Sequence, residues 1–215
     1  MKGSTVALLG GAALLLVKNR SGLSGAVDRE RFVRCISSRA QRYASLILTT
    51  ADRYKLSPWV VYAIPEFETG WGELLTPPGP GGTCDFIKRD AAKWGSQLPS
   101  DGLGWGRGLG SLDYGKPGSA RRAWMETGRW KDPAQNIDTC FKETIAPVVP
   151  LLAPLALVPD LALRAAICAY NAGPAAVVKA VKAGKDPDVV TYDGKYSQHV
   201  MLRIDKALNA YAREA

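Results

Sequence analysis

The 215-residue chain has a single histidine, His199, and four cysteines, Cys35, Cys84, Cys140 and Cys168, set far apart with no Cys-x-x-Cys pair. A zinc centre takes about four ligands, usually in closely spaced pairs, so no metal site is expected. Glycines are plentiful, but no Gly-Lys-Ser/Thr follows them, which removes the phosphate-loop signature. No Lys/Arg block is long enough for a nucleic-acid arm, and no repeat or low-complexity tract interrupts the chain. The apolar run Val6–Val17 (VALLGGAALLLV) is shorter than the ~20 residues a helix needs to cross a bilayer comfortably.

What is present suits a globular domain: 47% hydrophobic and 22% charged residues, with a net charge of +8. A basic balance of this size favours an anionic partner, whether a phospholipid surface, a wall polymer or nucleic acid, and a solvated basic surface explains it as well. The four cysteines permit two disulfides in three connectivities. Cys35 and Cys168 also fall inside apolar helical patterns, where buried thiols are common. Residues 1–27 read as an apolar segment and linker. Lys2 precedes Val6–Val17, Lys18-Asn19-Arg20 follows it, and Ser21–Ala26 (SGLSGA) is linker-like. Membrane contact through Val6–Val17 is the preferred reading; a signal-peptide core or a helix packed on a partner are the others.

From Asp28 onward the pattern is helical, and residues 28–215 read as one mainly α domain. Phe32, Cys35, Ile36, Ala40, Tyr43, Ala44, Ile47 and Leu48 recur at helical steps through about Tyr54. Ser57-Pro58 and Asp132-Pro133 are helix starts, Ser or Asp capping and Pro taking the first turn. The helix from Pro58 to Thr69 is mostly apolar, so it belongs in a core. Leu75–Gly118 is rich in Gly and Pro, and a loop of that length is usually functional. Prolines 147, 150, 154 and 159 are expected to break the apolar stretch Val148–Val158. Helices over Asp160–Ala172, Pro174–Ala183 and about Ser197–Ala212 complete the chain.

Glu66 and Glu68 stand near the end of the apolar helix. Desolvation there would raise a carboxyl's pKa and let it hold a proton near neutrality, as a general acid must; two wet-side residues are the alternative. Gly102–Gly110 has glycine at every second position, which allows positive φ and close backbone approach to a ligand. Asp101 and Asp113 flank it and also suit plain turns. Trp71, Trp94, Trp105 and Tyr114 suit sugar stacking or core filling.

Four segments, in order, resemble one family. Glu68-Thr69-Gly70-Trp71 resembles the Glu-Ser-Gly motif of lytic transglycosylases (SLT) and goose-type lysozymes. Gly108-Leu-Gly-Ser-Leu-Asp113 is similar to their Gly-Leu-Met-Gln-x-Asp, with Gly110-Ser111 in place of Met-Gln. Asp132-Pro-Ala-Gln-Asn-Ile137 resembles their Asp-Pro-x-x-Asn-Ile, and Ala169-Tyr-Asn-Ala-Gly173 matches outright. The resemblance covers about residues 46–211 and implies a lysozyme-like fold cutting peptidoglycan glycan strands without a cofactor. Glu68 would be the general acid between N-acetylmuramic acid and N-acetylglucosamine. Tyr170 would hydrogen-bond near Glu68, and Asn171 would shape the cleft. Leu109, Gly110 and Ser111 would line sugar subsites, and Tyr196 would stand ahead of the last helix on the substrate side. A transglycosylase uses one Glu as acid and then base. An inverting goose-type hydrolase adds a carboxylate ~6.5–9.5 Å away to activate water, and Asp113 or Asp101 fits that place. A non-catalytic wall-binding protein on the same scaffold is the reading from another class. Nucleic acid is not an expected partner. The setting implied is the bacterial envelope, periplasmic or membrane-anchored, or a phage virion or lysis protein, within a larger assembly in either case.

Overall fold

A computed structural model of the chain describes residues 27–214. The segment Val6–Val17 lies outside the described residues. The fold is mainly α. In chain order it has α1 (Arg29–Cys35), α2 (Ser38–Gln41), α3 (Ala44–Tyr54), α4 (Pro58–Glu68), β1 (Thr83–Cys84), α5 (Ala91–Trp94), β2 (Gly106–Arg107) and β3 (Leu112–Asp113). Then come α6 (Ala120–Glu126), α7 (Pro133–Glu143), α8 (Ile145–Leu152), α9 (Pro159–Ala172), α10 (Pro174–Lys182) and α11 (Tyr196–Arg213). Among the described residues no helix is long and apolar enough to cross a membrane, and all four cysteines are free thiols.

The chain divides into two compact units, one of residues 27–64 with 141–214 and the other Pro65–Cys140. The first is helical. Phe32, Ile47, Trp59, Phe141, Ile145, Val148, Ile167, Val177 and Val200 are all fully buried in it. Trp59 packs its ring against Phe32 and Tyr211, with centroids 4.8 and 5.3 Å away. The helical pattern read over 28–54 is carried by three helices: Ile36 and Ser37, with extended ψ of 163° and 148°, separate α1 from α2, and Arg42 and Tyr43, at ψ -18° and 6°, separate α2 from α3. Phe32, Ile36, Ala40, Tyr43, Ala44 and Ile47 are buried all the same. The apolar rhythm therefore recorded which side faces the core, not the continuity of the helix.

The prolines expected to break residues 148–158 do so only partly. Pro147 sits in the first turn of α8, where a missing N–H has no helical partner to lose. Pro150 is interior. It removes one backbone bond, and burial of Ile145, Val148 and Leu152 offsets that loss. The helix passes into a 3-10 turn, Ala153–Leu155, and ends at Ala156 with φ 47°.

The second unit holds a small antiparallel sheet in the order β1-β2-β3. Cys84 pairs with Gly106, which pairs with Asp113; Thr83 pairs with Arg107, which pairs with Leu112. Side chains alternate across a strand. One face therefore carries Cys84, Gly106 and Asp113, and the other carries Thr83, Arg107 and Leu112. Trp71, Trp105 and Tyr114 are buried and fill the unit's core.

Candidate functional site

In the second unit, helix α4 ends at Glu68, and the next residues leave it in an unusual way. Gly70, Trp71 and Gly72 all have positive φ, at 55°, 53° and 95°. The amides of Thr69 and Trp71 both return to the Pro65 carbonyl, at 3.0 and 3.3 Å. This curl turns Thr69 inward, where it is fully buried. Its hydroxyl donates to the Leu109 carbonyl at 2.6 Å and accepts from the Gly72 amide at 3.2 Å. The segment carrying Glu68 is thus tied to the glycine-rich turn 40 residues later.

That turn, residues 108–111, closes the β2–β3 hairpin and is clamped from the other side by Asn136. The fully buried Asn136 amide accepts from Gly110 N at 2.9 Å and donates to Arg107 O at 3.0 Å. Gly108 is required here. Its φ is 67°, and a Cβ would sit 2.3 Å from Asn136 Nδ2. The close approach that the glycines permit is thus to the chain's own side chains. Leu109 is fully buried and Ser111 is half-buried with φ 51°. Ser111 Oγ lies 3.2 Å from Cys84 Sγ.

Glu68 is half-buried and Glu66 is buried. The surroundings of Cys84 place Glu68 in the neighbourhood of the sheet. Burial raises the thiol's pKa, and the Glu68 and Asp85 carboxylates raise it further, while the Ser111 hydrogen bond opposes them. Cys84 was not among the residues the sequence singled out. Isolated from other cysteines and outside every motif, it gave no signal.

Each aspartate considered for activating water is held by an arginine. Asp101 takes a two-pronged pair from Arg107, Nη1 at 3.0 Å and Nη2 at 2.9 Å, and accepts from Leu103 N at 3.1 Å. Burial opposes its ionisation, but the Arg107 and Leu103 bonds win and hold the carboxyl below its ordinary value. Arg107 is fully buried, with its guanidinium over the rings of Tyr114 and Trp130 at 4.4 and 5.4 Å. Asp101, Tyr114, Met125 and Trp130 help line an open cavity of about 250 Å³. Arg107 belongs to the sheet face opposite Cys84. Asp113, on the Cys84 face, accepts from Arg89 Nη1 at 2.6 Å and from Gly115 N at 2.7 Å. Arg89 also binds Asp85 at 2.5 Å and lies over Trp94 and Trp105.

Tyr170, Asn171 and Tyr196 belong to the first unit. Tyr170 is half-buried in the last turn of α9, its ring centroid 6.0 Å from that of Phe141. Asn171 is exposed and accepts from Tyr192 N at 3.1 Å, fixing the loop that leads into α11. Tyr196 is buried as the first residue of α11. No group of three or more His, Cys, Asp or Glu side chains among the described residues is arranged to hold a metal ion.

The chain was compared with protein-family models and with curated proteins, and nothing matched in either comparison.

Proposed function

We propose that this chain cleaves the β-1,4 bond between N-acetylmuramic acid and N-acetylglucosamine in peptidoglycan, as a lysozyme-like lytic transglycosylase with Glu68 as its single acid and base. The observation that carries the reading is the linkage of three motif segments to one another. Thr69, beside Glu68, bonds Leu109 in the turn, and Asn136 of the third segment bonds Gly110 and Arg107. Residues that resemble one family at separated points of the chain thereby meet around one backbone turn. The retained hydroxyl of Thr69 makes the connecting bond, which fits a Ser or Thr at that position.

The arginine partners of Asp101 and Asp113 favour the single-carboxylate route over a water-activating pair. Arg107 holds Asp101 below its ordinary value, which makes it a weaker base, and both oxygens of Asp113 are engaged, by Arg89 and by the Gly115 amide. In this route Glu68 protonates the glycosidic oxygen as the bond breaks. Its carboxylate then takes the proton of the muramoyl 6-hydroxyl as that oxygen closes a 1,6-anhydro ring. No cofactor takes part, and the substrate places the action in the bacterial envelope, for an enzyme of bacterial or phage origin.

Digestion of purified peptidoglycan by wild type and Glu68→Gln, with products read by mass spectrometry, tests the proposal. Anhydro-muropeptides from wild type and none from Glu68→Gln are expected. Reducing ends would make the chain a hydrolase, and undiminished cleavage by Glu68→Gln would remove Glu68 from its role. Binding of peptidoglycan with no product from wild type would identify a wall-binding protein.

A further inference from the structure

A Cβ at Gly106 would lie 2.5 Å from Cys84 Sγ and 2.6 Å from Ser111 Oγ. The thiol and the hydroxyl therefore occupy the space a side chain at 106 would fill. They are 3.2 Å apart, and both residues are half-buried. Glu68 lies within electrostatic reach of the thiol, and burial together with Glu68 keeps the sulfur protonated. A protonated thiol and a hydroxyl hold two hydrogens. One bridges the pair, which leaves one donor and the remaining lone pairs for a third group. The charged neighbours on this face are already matched, since Asp85 and Asp113 both bind Arg89.

We propose that Cys84 and Ser111 form a neutral recognition pair for the acetamido group of a sugar bound beside Glu68, with Cys84 a specificity-determining residue outside every motif. The inference rests on the glycan reading above. An acetamido group brings one carbonyl acceptor and one N–H donor, which complements what the pair has left. A free amino sugar brings a charge and no carbonyl, and so leaves the pair's donor unmatched.

The test measures binding, so it is separable from cleavage. Oligomers of N-acetylglucosamine and of glucosamine are titrated calorimetrically into Glu68→Gln and into the same chain with Cys84→Ser or Cys84→Val. One neutral hydrogen bond predicts about a five- to tenfold preference for the acetylated oligomer. Cys84→Ser should keep most of it, and Cys84→Val should reduce it to about twofold or less. In the otherwise unaltered chain, the acetylated oligomer should slow alkylation of Cys84 by iodoacetamide, followed by mass spectrometry, and glucosamine oligomers should not. Full preference in Cys84→Val, no preference at all, or equal labelling with either oligomer would overturn the inference. A Cys84-dependent preference in a chain that releases no products would sink the transglycosylase reading and leave this one standing.

Discussion

The two units each contain an arginine–aspartate pair with one member buried, built the opposite way round. In Pro65–Cys140 the cation is the buried member: Arg107 is fully buried, while the Asp101 side chain is 41% exposed. In the other unit the anion is buried. The Asp188 side chain is 3% exposed and that of Arg164 21%. Asp188 is densely satisfied, accepting from Ser197 N at 2.8 Å, Ser197 Oγ at 2.5 Å, Arg164 Nη2 at 2.8 Å and Cys168 Sγ at 3.2 Å. Arg107 has Asp101 and two aromatic rings, and its buried Nε has no hydrogen-bond partner. A buried charge is costly in proportion to what remains unmatched around it. The Asp188 network thus holds its unit together with many small bonds, whereas the sheet face opposite Cys84 depends on one partner.

The largest effect should follow from removing that partner. Asp101→Ala leaves a fully buried guanidinium with no anion, and loss of ~3–5 kcal/mol is expected. Urea unfolding measures it, and a loss under about 1 kcal/mol would show that water reaches Arg107 and the contrast between the pairs is false. Asp188→Ala should cost less, ~2–3 kcal/mol. Arg164 still has Asp186 at 2.8 Å, so the damage is the unmet Ser197 donors and not an isolated charge. Reversal of the two values would invert the comparison.

Acid titration sharpens it further. Burial opposes ionisation of Asp188, but the Ser197, Arg164 and Cys168 bonds outweigh it and hold the carboxyl below its ordinary value. A depressed folded pKa stabilises the protein above the unfolded carboxyl's value, ~3.9, and that stability is lost as pH falls through the folded value. Asp101 shifts in the same direction but is open to solvent, so screening shrinks its share. Asp188→Asn should therefore flatten the loss of stability below about pH 4, read from melting temperatures across pH. An unchanged acid limb would mean that other carboxyls set it.

The sequence revealed these regions unequally, for physical reasons. Ser57-Pro58 and Asp132-Pro133 marked helix starts because capping is local chemistry. The small sheet gave no signal, because strands of two residues are too short for alternation to register. Arg107 sat in a glycine-rich stretch that looked open to a ligand. Its burial depends on Asp101, Tyr114 and Trp130, contacts no local pattern encodes. Thr69 drew notice as a variant of a motif serine, but its bond to Leu109 spans 40 residues and needed coordinates. Cys84 needed them still more, since its meaning lies in Ser111, Gly106 and Glu68 and in no neighbour along the chain.

The third arginine–aspartate pair carries the smallest expected effect and the finest mechanistic distinction. Asp113 and Arg89 have side chains 42% and 19% exposed, so neither charge is sealed away. Asp113→Asn keeps an acceptor for Gly115 N and the shape of the hairpin, and should change stability by about 1 kcal/mol or less. If Glu68 works alone, the rate of peptidoglycan cleavage should also stay within about threefold of wild type, with the ratio of anhydro to reducing ends unchanged. An aspartate that activates water would behave otherwise, because losing a general base costs ~10²–10⁴ in rate. A drop of that size with the protein still folded would move the chain to the hydrolases. It would also mean that the Arg89 bond orients Asp113 for work and does not occupy it.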